Sequence, residues 1–148
     1  MIQWTPILNY NWENVKQDSK NLAANIWIWK FKFILAISKW GLIPVYFLAD
    51  ELGIKIVKTI CLSSYKNGNV QWPVIQHKVA GFLEEIKNPR DWLVVDDLSD
   101  SWFTLEYIKK EYPAIKTAVL LQKKTWWIKA DYYAKEIDNI WVKFPWEV

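Results

Sequence analysis

Three aspartates within five positions, Asp96, Asp97 and Asp100, close the apolar run "WLVV" in the stretch "WLVVDDLSDSWFT", interleaved with the hydroxyl residues Ser99, Ser101 and Thr104. Carboxylates at this density suit the diol of a sugar, or a magnesium ion, which takes oxygen ligands and shares them with substrate phosphates. A turn leading from a strand into a helix can also cradle a phosphate with backbone N–H groups while hydroxyls donate to its oxygens. For an arbitrary pair of aspartates a solvated strand end is the ordinary explanation. Three together, directly before a helical segment, favour a site. One difficulty stands beside them: Trp102 and Phe103 fall where an anion loop needs residues with almost no side chain.

The elements that must position these groups follow from periodicity. From Asn11 to about residue 28, Trp12, Val15, Leu22, Ala23 and Ile26 keep a loose helical spacing, with Asn11 as its cap. "FKFILAIS" (31–38) reads as a buried strand, and "LIPVYFLADELG" (42–53) as a helix with Pro44 in its first turn and Gly53 as its stop. "IKIVKTICLSS" (54–64) is β-branched and strand-like, "WLVV" is a third strand, "TLEYIKKEY" (104–112) a helix and "IKTAVLLQ" (115–122) a fourth strand. Turn residues between 65 and 91 suggest a loop or a small antiparallel excursion, and the carboxyl-terminal remainder suggests short strands with an aromatic tail. Strands alternating with helices predict an α/β domain with a mainly parallel sheet, whose ligands sit beyond the carboxyl ends of the strands.

Composition narrows the function classes. A chain of 148 residues with 52% hydrophobic and 24% charged residues is expected to be one globular domain. The net charge of +3 suits a small anionic substrate, and without a clustered basic stripe it argues against DNA or RNA. The aromatics are not interleaved with a basic run, so stacking on single-stranded nucleic acid is not expected. Cys61 stands alone, which excludes an intrachain disulfide, fits a reducing compartment and suggests core packing. The amino terminus lacks the pattern of a secretion signal, and the apolar runs are too short to cross a bilayer, so a cytoplasmic location is expected. His77 has no partner at ligand spacing, and Lys109 and Lys110 read as a solvated helix face.

"VVDDLSDSWFT" resembles the ribose-phosphate-binding signature of type I phosphoribosyltransferases: an apolar strand, two acids, two residues, an acid, Thr or Ser, Gly, a small residue and Thr. "ILAISKWGLIPVYFLADELGIKIVKTICLSSY" is similar to the pyrophosphate loop and following helix of the bacterial xanthine-guanine enzymes of that family. "DNIWVKFPWE" resembles their purine-binding segment. Together these matches span about residues 12 to 147 in the same order.

The resemblance implies a type I phosphoribosyltransferase fold over residues 1–148, with a hood or flexible loop near 65–91. It implies phosphoribosyl pyrophosphate and a purine base as substrates, Mg2+ as cofactor, and a homodimer or homotetramer. Position by position, Asp96 and Asp97 would bind the ribose hydroxyls, Asp97 would also hold magnesium, and Asp100 would be the general base near the purine N7. The loop Ser99, Asp100, Ser101, Trp102, Phe103 and Thr104 would hold the 5′-phosphate. Ser38, Lys39, Trp40 and Gly41 would contact pyrophosphate, with Lys39 as its cation. Lys123, or Lys124 if the match slips by one, would reach the purine O6. Trp141 would stack on the base while the Val142 backbone reads its edge. On the residues alone, core is the better reading of Trp141, with Trp146 close by, and Lys39 is an ordinary surface lysine.

The chain has 12 Trp and only 4 Gly, where average usage near 7% gives about ten Gly. Trp40 and Trp102 stand where the family has loop glycines, and Trp92 and Trp126 or Trp127 stand at or near such places. Indoles there would fill phosphate space, and a positive-φ turn would strain them. Read literally, the chain should bind phosphoribosyl pyrophosphate badly. Three readings compete: a decayed enzyme, a catalytically inactive nucleotide-binding or regulatory protein on the same fold, and a UGA codon meaning glycine in the source organism but rendered as tryptophan. Intact Asp96, Asp97 and Asp100 speak against decay. The miscoding reading explains the Trp excess, the Gly deficit and their location together, but leaves Phe103 unexplained.

Overall fold

The computed structural model describes residues 6–26, 30–63, 66–67, 70–71, 75–77, 86–99, 102–124 and 128–147. Helix α1, Trp12–Asn25, begins at Asn11 in a reciprocal cap: Asn14 N donates to Asn11 Oδ1 at 2.8 Å and Asn11 N donates to Asn14 Oδ1 at 3.0 Å. Its inward stripe is Val15, Asp18, Ser19, Leu22 and Ala23. Strand β2, Phe33–Ser38, leads into α2, Leu42–Leu52, which stops at Gly53 with φ 65°. That left-handed turn is where a glycine costs least. Strand β3, Ile56–Ser63, is followed by the short strands β4, Lys66–Asn67, β5, Val70–Gln71, and β6, Ile75–His77. Then come β7, Trp92–Ser99, α3, Trp102–Glu111, β8, Lys116–Lys123, β9, Tyr132–Ile137, and β10, Trp141–Lys143.

The main sheet runs β6-β3-β2-β7-β8-β9. Its five strands from β3 to β9 are parallel, and β6 joins the edge antiparallel. Alternation along each strand sends residues to two layers. Ile34, Ala36, Leu93, Val95, Ala118 and Leu120 pack with α1 and α2 through Val15, Leu22, Val45, Leu48 and Leu52. Leu35, Ile37, Ile60, Trp92 and Val94 pack on the other side with Ile108 of α3. Burying two faces explains the nearly continuous apolar runs of β2, β7 and β8. The α/β fold with a parallel sheet flanked by helices is therefore as expected.

Several details differ from the reading of the sequence. Strand β7 continues through Ser99, so Asp96 and Asp97 lie inside its ladder, and α3 begins two residues early, at Trp102. Cys61 is exposed, not core. It sits near the sheet edge on a strand where Ile56 and Val57 are also exposed and Ile60 alone is buried. Lys109 is bonded to Asp131 rather than solvated. Residues 6–10, which carry no clear pattern, supply β1, Ile7–Asn9, and this strand pairs in parallel with β10 as a separate two-stranded sheet.

Asp131 ties three segments together. It accepts from Lys109 of α3, from Lys116 Nζ at 3.3 Å and from the Thr117 backbone N–H at 2.9 Å. Burial pushes its carboxyl up, but the bonds from Lys109, Thr117 and Lys116 together hold it below the ordinary carboxylate range. A depressed carboxylate stabilises the fold above its unfolded pKa and loses that contribution as pH falls through the folded value. Asp131→Asn is therefore expected to cost roughly 1–3 kcal/mol at pH 7. In urea denaturation the gap between wild type and variant should narrow once the pH drops below about 4. A gap independent of pH would contradict this role for the charge.

Candidate active site

At the carboxyl ends of the parallel strands lies a cavity of about 170 Å³ lined by Trp40, Asp97, Leu98, Lys123, Trp141, Val142, Phe144 and Glu147. Five of these were singled out by residue type or motif. They come from four places: the loop after β2, the ends of β7 and β8, and β10. The volume is small for a ligand pocket, on the scale of one planar base rather than a whole nucleotide.

Each wall has a local cause. Alternation along β7 turns Asp97 to the side of Leu93 and Val95, into the cavity, at 9% exposure. Asp96, half-buried, does not line it. Both carboxylates also accept from the strand's own backbone: Asp96 Oδ1 from Asp97 N at 2.9 Å, and Asp97 Oδ1 from Leu98 N at 2.8 Å. Lys123, last in β8, is 9% exposed and points into the cavity, whereas Lys124 is exposed and bonded to Asp138 at 3.0 Å. Of the two lysines, Lys123 is the one that lines the cavity. Trp141 keeps 60% of its surface exposed, so it is not core, while Val142 and Trp146 are buried.

Ser38 donates its hydroxyl to Ile60 O at 3.3 Å, and the Ser38–Lys39 peptide is cis. The Lys39 ammonium lies 4.2 Å from the centroid of the Trp40 ring, and Trp40 in turn packs on Trp146 at 6.5 Å. Among the described residues no non-glycine has positive φ, so Trp40 carries no left-handed backbone. Its cost to an anion site is volume alone. Ser99 is buried and its Oγ accepts from Gln122 Nε2 at 3.3 Å. Thr104 is half-buried in the first turn of α3. Asp100 and Ser101 lie outside the described residues, as do the side chains of Trp102 and Phe103.

The phosphoribosyl transferase domain family matches residues 10–148. The chain belongs to this family. It is 30% identical to the xanthine-guanine phosphoribosyltransferase of Nitratidesulfovibrio vulgaris, with 98% of this chain and 87% of that protein covered. It is 31% identical to the enzyme of the same name from Desulfotalea psychrophila, over 93% of this chain and 84% of the relative. Among solved structures, the purine phosphoribosyltransferase of Pyrococcus horikoshii superposes with a TM-score of 0.80 at 28% identity, covering 96% of this chain and 95% of that one.

A phosphoribosyltransferase needs a place for a base, a cation and a pyrophosphate, and the cavity's chemistry can be read against those needs. Sequence reasoning missed Leu98, Phe144, Glu147 and Gln122. The first three lie in or beside segments already singled out, but nothing in their own types marks them. Gln122, fully buried, donates to Ser99 Oγ and to Lys123 O at 3.2 Å and accepts from Ala130 N at 2.9 Å, bracing the β8 end. A polar residue directly after the apolar run Ala118–Leu121 is the one available signal. A larger cavity of about 490 Å³, lined by Lys30, Arg90, Asp91, Pro113, Ala114 and Lys116, opens at the opposite sheet edge. Helix α3 ends just before it, and cations complement a helix carbonyl end. None of the candidate site residues lines it.

Gly41 shapes the loop that holds Lys39 and Trp40. A Cβ there would stand 2.5 Å from Ile37 O and 2.7 Å from Val95 O, both backbone atoms. Gly41→Ala is expected to cost about 1–3 kcal/mol by overpacking, measured as a lowered urea midpoint. An unchanged midpoint would mean the loop relaxes freely.

Proposed function

We propose that the chain is a purine salvage phosphoribosyltransferase, converting guanine, xanthine or hypoxanthine and phosphoribosyl pyrophosphate to the purine nucleotide and pyrophosphate. The observation that carries this reading is the convergence of Trp141, Val142, Lys123 and Asp97 on one base-sized cavity at the carboxyl edge of the sheet. The xanthine-guanine enzymes among its relatives favour transfer over an inactive binding module on the same fold. Trp141 would stack on the base, the Val142 backbone would read its edge, and Lys123 would donate to O6.

Departure of pyrophosphate from the anomeric carbon builds positive charge on the ribose ring and negative charge on the leaving group. Asp96 and Asp97 would bind the ribose hydroxyls and tolerate the first. Lys39, with Ser38, Trp40 and Gly41, would meet the second. Asp97 would hold Mg2+. Magnesium typically binds through one or two carboxylates plus substrate phosphates, and a cavity wall that carries Asp97, with Glu147 as its other carboxylate, fits that mode better than an all-protein cage would. When bound, the ion would neutralise pyrophosphate charge. Asp100 would take the proton near N7, and the loop Ser99–Thr104 would hold the 5′-phosphate.

The proposal extends to the whole chain, acting as one transferase domain; the hood or flexible loop expected near 65–91 lies largely outside the described residues. It includes a cytoplasmic location and assembly as a homodimer or homotetramer. Supporting the location, Cys61 is the chain's sole cysteine, and among the described residues no helix is long and apolar enough to cross a membrane.

The test is magnesium-dependent pyrophosphate release with guanine, xanthine and hypoxanthine, and with adenine as the control. Turnover is expected with the three 6-oxopurines, and Asp97→Asn should lower kcat by about 10²–10³-fold. Trp40→Gly with Trp102→Gly should lower the KM for phosphoribosyl pyrophosphate, since an indole is removed from each anion loop. No turnover in either protein, with nucleotide binding retained, would favour the inactive module.

A further inference from the structure

We infer that Tyr10 and Asp18 are positioning residues for the base-binding strand β10, acting on it through the Lys143 carbonyl and the Phe144 ring. The inference rests on reading the 170 Å³ cavity as the base site.

The inward stripe of α1 has a carboxylate in its middle. Asp18 is 1% exposed, between Val15 and Leu22 on the same helix face. A buried carboxylate lowers stability unless its partners are well placed, and an apolar residue would fill the same position at no such cost. Among the described residues its partners are two. Tyr10 donates its hydroxyl to Asp18 Oδ2 at 2.6 Å, and Lys135 Nζ of β9 lies 3.2 Å from the same oxygen. Burial first, and then Asp18, push the Tyr10 hydroxyl far above its ordinary pKa, so it remains a donor.

Tyr10 is what the carboxylate holds in place. Its backbone N–H donates to Lys143 O at 2.9 Å, and its ring meets the Phe144 ring edge-on at 5.5 Å and 83°. Phe144 lines the cavity and stacks on Trp146 at 4.5 Å and 11°. Strand β10 has no place in the main sheet. Among the described residues it pairs only with β1, over Ile7↔Trp141, Leu8↔Val142 and Asn9↔Lys143. A two-stranded pair this short is not stable by itself. The orientation of Trp141 over the cavity therefore depends on what fixes the ends of the pair, and Tyr10 fixes one end to α1.

The test compares wild type, Tyr10→Phe and Asp18→Asn in steady-state kinetics with guanine, alongside calorimetric binding of guanosine monophosphate and thermal melting. Tyr10→Phe keeps the ring against Phe144 and removes only the hydroxyl. It should raise the KM for guanine about tenfold, as loss of a hydrogen bond to a charged group implies, with kcat and the KM for phosphoribosyl pyrophosphate within about twofold of wild type. Asp18→Asn keeps an oxygen acceptor for Tyr10 and should show a smaller shift in the same direction. If Tyr10→Phe does not fold, Asp18→Asn carries the comparison. A lowered melting temperature with unchanged guanine KM and nucleotide affinity in the folded variants would overturn the positioning role alone. Wild type that neither turns over guanine nor binds the nucleotide would overturn the reading of the cavity, and this inference with it.

Discussion

Position 41 has room for a hydrogen atom and nothing larger. The backbone there lies against Ile37 O at the end of β2 and Val95 O in β7. This one close approach sets two parts of the site together. Ile37 precedes the loop that carries Lys39 and Trp40, and Val95 precedes Asp96 and Asp97. It also starts α2, because Gly41 N donates to Ile37 O at 2.9 Å and Val45 N to Gly41 O at 3.2 Å. The loop that carries Lys39 and the strand that carries Asp96 and Asp97 are thus held in fixed relation by backbone contact, not by side chains that could be exchanged.

Around that contact the protein uses aromatic rings where a glycine-rich loop would leave open space. Trp40 packs on Trp146, Trp146 stacks on Phe144, and Phe144 meets Tyr10 edge-on, so the rings run from the loop after β2 to the base of α1. Trp12 joins at 5.9 Å from Trp146. Such rings contribute large buried area and hold geometry well. They also narrow the space left for an anion beside Lys39, whose ammonium already rests over the Trp40 ring. A shortage of glycine is felt here as lost volume rather than as strained backbone.

Much of the frame was legible. Val15, Leu22 and Ala23 lie on one face because a helix repeats every 3.6 residues, and Asn11 caps because its side chain can reach the first free N–H groups. The runs "FILAI" and "WLVV" read as strands because burial on both faces leaves few polar positions. The aspartate cluster and the aromatic carboxyl-terminal segment could be picked out by type and order. Strand β1 could not be picked out: three residues hold no period, and their partner is at the other end of the chain. Cys61 misled because a small apolar residue in an apolar run is ordinarily covered, and nothing local reveals that β3 lies next to the edge, beside the short strand β6.

By itself the sequence determined the type and order of the main elements and the family to which the motifs point. These depend on spacing along a single segment. Tertiary structure alone decided that Asp97 and not Asp96 lines the cavity, that Lys123 and not Lys124 is its lysine, and that Phe144 and Glu147 belong to it. It also decided that β1 and β10, from opposite ends of the chain, pair with Ile7 opposite Trp141. Those outcomes depend on where separate segments meet, which is set by packing across the whole fold and leaves no mark in local periodicity.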